Sequence, residues 1–78
     1  MIGLSRAQAE IFRALYDFIT EHGYSPTVRQ LCEATYRSST STVQLHLRSL
    51  ARKGFVRFTP RGCTIVNTPI ILRSELEA

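Results

Sequence analysis

Two capping boxes constrain the fold of this chain more than any other feature, because each one fixes where a helix begins. They are Ser5-x-x-Gln8 and Thr27-x-x-Gln30, in which a hydroxyl and a glutamine side chain bond reciprocally to backbone N–H groups of the first turn. Gly23 lies between them and supplies a left-handed helix end. Apolar residues at helical spacing predict one buried face for the first helix: Ala9, Phe12, Leu15, Tyr16 and Ile19. The sequence therefore predicts two helices joined by a short connector.

The second predicted helix is short and leads into a third. Its inward residues are expected to be Leu31 and Ala34, and it ends near Thr35-Tyr36-Arg37. Ser39 is the best N-cap for the next helix, because its hydroxyl oxygen can accept a free backbone N–H. The inward residues of that helix follow at helical spacing and are Val43, Leu47, Leu50 and Ala51. Gly54 ends the third predicted helix.

The residues after Gly54 predict a β-hairpin. Phe55-Val56-Arg57-Phe58 is rich in aromatic and β-branched residues, Thr59-Pro60-Arg61-Gly62 has turn chemistry, and Cys63-Thr64-Ile65-Val66 can return as a second strand. Two strands alone are marginally stable in water, so the hairpin is expected to pack on the helices. The order predicts a winged helix-turn-helix, a mostly helical α+β fold with three helices followed by a two-stranded wing.

We place this domain at residues 1–66 and expect residues 67–78 to form a C-terminal tail or linker stub. Within the tail, Ile70-Ile71-Leu72 is the apolar segment that remains after the core is assigned. It could be an added strand, a dimer contact or a frayed stub, and the sequence leaves these alternatives open.

Length and composition exclude several classes of protein. A chain of 78 residues can build one compact core, which argues against a catalytic cleft between lobes. No apolar run approaches the roughly 20 residues of a membrane span, and the N-terminus lacks the apolar core of a signal peptide, so we expect a cytoplasmic protein without a membrane partner. Cys32 and Cys63 are too few for a disulfide scaffold, and His22 and His46 lie apart, so no zinc ligand set is formed. We predict no cofactor, no metal, no catalytic residue and no small-molecule ligand.

The net charge of +4 comes from one part of the chain. Residues 37–64 contain only basic groups among their charged side chains, namely Arg37, Arg48, Arg52, Lys53, Arg57 and Arg61, whereas the segments on either side each carry a small net negative charge. A segment with this many charged side chains, all of them basic, is typical of a nucleic-acid-binding face. A solvated basic surface without a partner is the plainer alternative.

The outer side of the third predicted helix suits a DNA major groove. Opposite the inward residues lie Ser41, Leu45, Arg48 and Arg52, with Thr42 and Gln44 on the flanks. Short side chains at the start of a helix let its backbone approach base edges, while arginines further along reach phosphates. Gln44 can pair bidentately with adenine, and Leu45 can pack on a thymine methyl group.

Several other residues are candidates for contacts with the DNA backbone. The start of the third helix points free N–H groups outward beside the hydroxyls of Ser38 and Ser39. Lys53 ends the helix, Arg61 sits at the wing tip, and Thr27 begins the second helix. We assign Thr27, Ser38, Arg48, Arg52, Lys53 and Arg61 to backbone contact. Capping alone, or a solvated turn arginine, would account for some of them as well.

Three segments resemble the N-terminal DNA-binding domain of the LexA repressors. They are Gly23-Tyr24-Ser25-Pro26-Thr27-Val28-Arg29 before the second helix, Ser38-Ser39-Thr40-Ser41-Thr42-Val43-Gln44-Leu45-His46-Leu47 at the start of the third, and Leu50-Ala51-Arg52-Lys53-Gly54-Phe55-Val56 at its end. The similarity runs from Leu4 to about Ile65. Three matches in the same order and with near-equal spacing make the resemblance specific.

The resemblance implies a repressor of the SOS-response type that binds palindromic operators as a homodimer. The positions that match the family's base-reading residues are Ser39, Ser41, Thr42, Gln44 and Leu45. In the turn between the second and third helices, Thr35-Tyr36-Arg37 stands where the family has Leu-Gly and an apolar residue. A left-handed Tyr36 would be strained, which leaves a different turn geometry open. The family's peptidase domain has no counterpart here, so we expect no self-cleavage and no enzymatic activity.

The leading prediction is therefore a sequence-specific regulator that binds double-stranded DNA. The alternative is a winged-helix protein–protein module that modulates a full-length repressor.

Overall fold

The elements of the computed structural model follow the predicted order. The structure describes residues 4–36, 39–60, 62–69 and 72. Helix α1 runs over Arg6–His22, α2 over Val28–Ala34 and α3 over Thr40–Arg52. Strand β1 runs over Val56–Thr59 and pairs antiparallel with β2, Gly62–Ile65. This architecture confirms the winged helix-turn-helix prediction.

The helix starts lie where the capping residues place them. In α1 the Ser5 hydroxyl accepts the Gln8 backbone N–H at 3.1 Å, and the Gln8 side chain accepts the Ser5 N–H at 3.2 Å. The same reciprocal pair forms between Thr27 and Gln30 at the start of α2. Each box satisfies N–H groups that have no partner within the helix. Gly23 takes the left-handed conformation (φ 79°) that ends α1.

The core lies between α1 and α3, and α2 and the hairpin close it. The buried apolar side chains of α1 and α3 are Ile11, Phe12, Leu15, Val43, Leu47 and Leu50. The other elements add Leu31, Cys32, Val56 and Cys63. Burial raises the pKa of the Cys63 thiol to about 11, so this thiol stays protonated at neutral pH and behaves as a small apolar group.

One predicted core position in α2 was wrong. Ala34 is exposed, whereas Leu31 and Cys32 are buried and Val28 packs against the core. At about 100° per residue, the direction that Leu31 and Cys32 share points well away from Ala34. The prediction placed Ala34 inside because it lies three residues after Leu31. In a helix of only seven residues, the burial of Cys32 beside Leu31 turns the buried side of the helix away from Ala34.

The turn between α2 and α3 contains a strained tyrosine. Tyr36 takes a left-handed φ of 56° and its side chain is 97% exposed. Its N–H donates to the carbonyl of Glu33 at 3.3 Å. The turn thus uses a left-handed residue although no glycine stands there, at a cost of about 1 kcal/mol. Arg37, which follows, lies outside the described residues.

Replacing Tyr36 by glycine is expected to stabilise the fold slightly. The exposed ring contributes little packing, and glycine removes the steric cost of the left-handed conformation. Because glycine also loses more backbone entropy on folding, the expected net gain is at most about 1 kcal/mol, or a few degrees in Tm. Thermal unfolding measures it, with Tyr36→Ala as the control, because alanine removes the ring but keeps the Cβ and with it the left-handed strain. A Tm for Tyr36→Gly no higher than that of Tyr36→Ala would contradict the strain assigned to this turn.

The wing is fastened to the connector between α1 and α2. Val56 pairs with Ile65 and Thr59 with Gly62. The Ser25 hydroxyl accepts the Cys63 backbone N–H at 2.9 Å. Gly62 has a φ of 131°, and a Cβ placed on it would lie 2.7 Å from the Ser25 Oγ. Glycine is therefore required at this position both for its backbone conformation and for the close approach of the connector.

Beyond the hairpin, the chain returns to the core. Thr68 and Pro69 are buried, and Leu72 is 2% exposed and belongs to the hydrophobic core. Ile70 and Ile71 lie outside the described residues, and the boundary at residue 66 stays a prediction. Within the part of the chain that the structure describes, no helix is long and apolar enough to cross a membrane.

Candidate nucleic-acid interface

The outer side of α3 is open to solvent along its length. Ser41, Thr42, Gln44 and Leu45 are exposed in its first two turns, and Arg48 and Arg52 are exposed further along. Leu45 is 62% exposed. The opposite side of the helix is fully engaged by the core, so α3 cannot turn to bury these side chains. The predicted outer face is therefore available to a partner, while the reading of bases by its residues stays a prediction.

The start of α3 combines a cap with free hydrogen-bonding capacity. Ser39 is the N-cap, and its Oγ accepts the Thr42 backbone N–H at 3.2 Å. Both residues are exposed. A hydroxyl that accepts one N–H keeps its own proton and can still donate it to a phosphate or a base. Capping and DNA contact are thus compatible at Ser39. Ser38 lies outside the described residues.

Thr27 has the same properties at the start of α2. Its side chain is exposed and its Oγ1 accepts the Gln30 N–H at 3.1 Å. Its hydroxyl proton remains available to an anionic partner. Arg61, the predicted contact at the wing tip, lies outside the described residues.

Lys53 is less free than the sequence suggested. It is partly buried, and its Nζ donates to the Gln8 Oε1 at 2.9 Å. The Gln8 Nε2 in turn donates to the Ser49 Oγ at 2.9 Å. The glutamine of the first capping box thus joins the start of α1 to the end of α3. The sequence shows Gln8 as a capping residue but carries no signal for these contacts, since they bridge more than 40 positions.

A shallow depression adjoins the outer face of α3. It is lined by Leu45, Arg48, Ala51 and Arg52 of α3 and by Phe58 of β1. The Phe58 side chain is 50% exposed. The sequence placed Phe58 in the first strand of the hairpin but did not identify it as a site residue, because nothing local to the strand indicates which of its side chains lie beside α3.

Acidic side chains line a different depression. It lies beside α1 and the end of α2, and its lining includes Glu10, Arg13, Asp17 and Tyr36. Residues 39–60, which carry α3 and β1, contain no acidic residue. The segment that forms the outer face of α3 therefore carries basic side chains and no carboxylates, and such a surface attracts polyanions.

These features define a winged helix-turn-helix domain of the DNA-binding class. Its third helix exposes a face that begins with short polar side chains and ends with arginines, beside a two-stranded wing. Residues 1–63 match the LexA DNA binding domain family. The chain belongs to this family.

Individual relatives agree with the family assignment. The chain is 35% identical over 72 residues to a LexA repressor of Desulfatibacillum aliphaticivorans, covering 88% of this chain and 36% of the relative. It is 47% identical over 57 residues to a LexA repressor of Caldicellulosiruptor saccharolyticus, covering 73% of this chain and 28% of the relative. With a LexA repressor of Lactobacillus acidophilus it shares 53% identity over 49 residues, which cover 63% of this chain and 24% of the relative. The chain thus spans about a quarter to a third of the length of the curated relatives it matches.

Proposed function

We propose that this chain binds double-stranded DNA as the operator-reading domain of a transcriptional repressor, with α3 in the major groove. The observation that carries the proposal is the exposed outer face of α3, with Ser41 and Gln44 near its start and Arg48 and Arg52 further along. Membership of a DNA-binding family and the repressor names of the relatives support the same function.

The proposed contacts divide into two groups by their chemistry. Short polar, amide and apolar side chains near the start of α3 meet base edges, namely Ser39, Ser41, Thr42, Gln44 and Leu45. Cations and hydroxyls around them meet phosphates, and these are Thr27, Ser38, Arg48, Arg52, Lys53 and Arg61. The first group specifies a sequence, whereas the second supplies affinity for any duplex.

Pairing of two copies on a palindromic operator is part of the proposal. One winged helix-turn-helix domain buries a small interface, and two linked domains on adjacent half-sites raise the affinity without new contacts in either half. Such a regulator works in the cytoplasm, where it meets the chromosome. Selection of bound sequences from a random duplex pool tests the arrangement, because two symmetric half-sites are expected in the selected sequences.

Replacing Gln44 by alanine tests base reading. The loss is expected to be about 1–3 kcal/mol on the selected duplex and small on a random duplex, because the amide contacts a base edge and not the backbone. Binding titrations on both duplexes measure it, with Thr20→Ala on the exposed side of α1 as the control. Equal losses on both duplexes would show that Gln44 does not read bases.

A salt series on the wild-type chain separates DNA binding from protein binding. The logarithm of the affinity for a duplex is expected to fall linearly with the logarithm of the salt concentration, by about 0.9 for each phosphate contact. An absence of duplex binding at low salt would refute the proposed function and favour the protein–protein alternative.

A further inference from the structure

Phe58 is exposed where the hairpin would be expected to bury it. Val56, two residues earlier on the same face of β1, is 3% exposed, and Cys63, the cross-strand partner of Phe58, is 5% exposed. Phe58 itself is 50% exposed. Side chains at i and i+2 point to the same side of a strand, so Phe58 continues the core-facing row beyond the edge of the core. There it lines the depression beside α3.

The depression combines apolar and cationic side chains. Leu45, Ala51 and Phe58 supply apolar surface, and Arg48 and Arg52 supply positive charge. The two arginines are four residues apart on a helix and therefore lie about 6 Å apart along its axis. This is comparable with the spacing of successive phosphates in one DNA strand. A strand of DNA alternates anionic phosphates with largely apolar deoxyribose rings, and this alternation matches the lining.

We propose that the depression between α3 and β1 receives one sugar–phosphate strand of the duplex, with Phe58 packed against a deoxyribose. Arg48 and Arg52 then bind the phosphates on either side of that sugar. The inference rests on the proposed function, and it adds to it a contact surface and an apolar backbone contact made by the wing strand.

The charge of the site favours DNA over a second copy of the chain. A second copy seated through the same depression would bring its own Arg48 and Arg52 against those of the first, and like charges repel. Residues 39–60 offer no carboxylate to neutralise them. A nucleic-acid strand carries the opposite charge at regular spacing and meets no such repulsion.

Two variants of Phe58 test the contact on the intact chain. Phe58→Ala is expected to weaken binding about five- to tenfold, because it removes the apolar surface that a deoxyribose would cover. Phe58→Leu retains much of that surface and is expected to recover most of the affinity. Since a sugar contact is independent of sequence, the loss is expected to be equal on the selected and the random duplex. Since no charge changes, the salt slope should equal that of the wild type.

Val66→Ala serves as the matched control. Val66 is 55% exposed and follows β2, outside the lining of the depression, so its loss should leave DNA affinity unchanged. Thermal unfolding of each variant checks that the fold is retained, and sedimentation reports any change in self-association.

The outcomes separate this inference from the proposed function. If the wild type binds a duplex and Phe58→Ala binds equally well, the strand contact is refuted while the proposed function stands. A loss confined to the selected duplex would make Phe58 a base-reading residue and overturn the inference. A loss of self-association together with unchanged affinity would assign the depression to a second copy. If the wild type binds no duplex, both proposals fail.

Discussion

Replacing both Arg48 and Arg52 by alanine is expected to weaken binding to every duplex by about 30- to 150-fold at moderate salt. Each guanidinium is exposed on the outer side of α3 and would form a charge-assisted bond with a phosphate, worth on the order of 1–1.5 kcal/mol after desolvation. The two contacts also release counterions, so the slope of log affinity against log salt should become shallower by about 1.8. Fluorescence anisotropy over a salt series measures both quantities.

The control for the arginine pair is Arg29→Ala, another exposed cation, which lies on α2 and has no assigned contact. It is expected to change the salt slope little. The ratio of affinities for the selected and the random duplex should survive in the double variant, because phosphate contacts do not carry sequence information. An unchanged salt slope in the double variant would contradict the proposed orientation of α3 on DNA.

Replacing Phe12 by alanine is expected to remove about 3–5 kcal/mol of stability. Phe12 is the largest of the fully buried side chains and lies on α1, which faces α3 across the core. A domain of 78 residues has a total free energy of unfolding of about 4–12 kcal/mol. The loss caused by this one substitution is therefore a large part of the total stability. The Tm is expected to fall by roughly 15 °C or more, and a fraction of the molecules would be unfolded at 37 °C.

Urea unfolding of Phe12→Ala and of a matched exposed variant measures this effect. Leu45→Ala is the match, because Leu45 is an apolar helix residue that is 62% exposed. Its stability should change by no more than about 0.5 kcal/mol. Comparable losses in both variants would mean that α1 and α3 do not enclose the core as described. Leu45→Ala also has a use on DNA, where it tests the predicted contact with a thymine methyl group.

Most of the fold could be predicted because its signals are local. The hydroxyls of Ser5, Thr27 and Ser39 each fix a helix start by a bond to a backbone N–H three residues on. The positions of Gly54 and Gly62, and the residue types between them, placed the hairpin to within a residue of its observed strands. The burial of Ile11 and Cys32 was not predicted. Each lies next to a residue assigned to the core, and the buried faces of α1 and α2 are wider than the narrow stripe that helical spacing alone indicates.

The site could be predicted only in part, since tertiary contacts decide the rest. The exposure of α3 followed from its own spacing, because an amphipathic helix buries one side. The restraint of Lys53 by Gln8 and the exposure of Phe58 depend on how α1 and the wing meet α3. Tyr36 shows a further limit of prediction from sequence. The steric cost of a left-handed tyrosine favoured a different turn geometry, yet Tyr36 takes the left-handed conformation in the structure.

The burial of Leu72 in the hydrophobic core has a practical consequence for anyone who uses this domain as a module. A chimeric regulator that joins a foreign effector directly after the wing would discard an interior side chain and leave a void in the hydrophobic core. Fusion points are better chosen after Leu72, so that the transplanted unit keeps every interior contact described above.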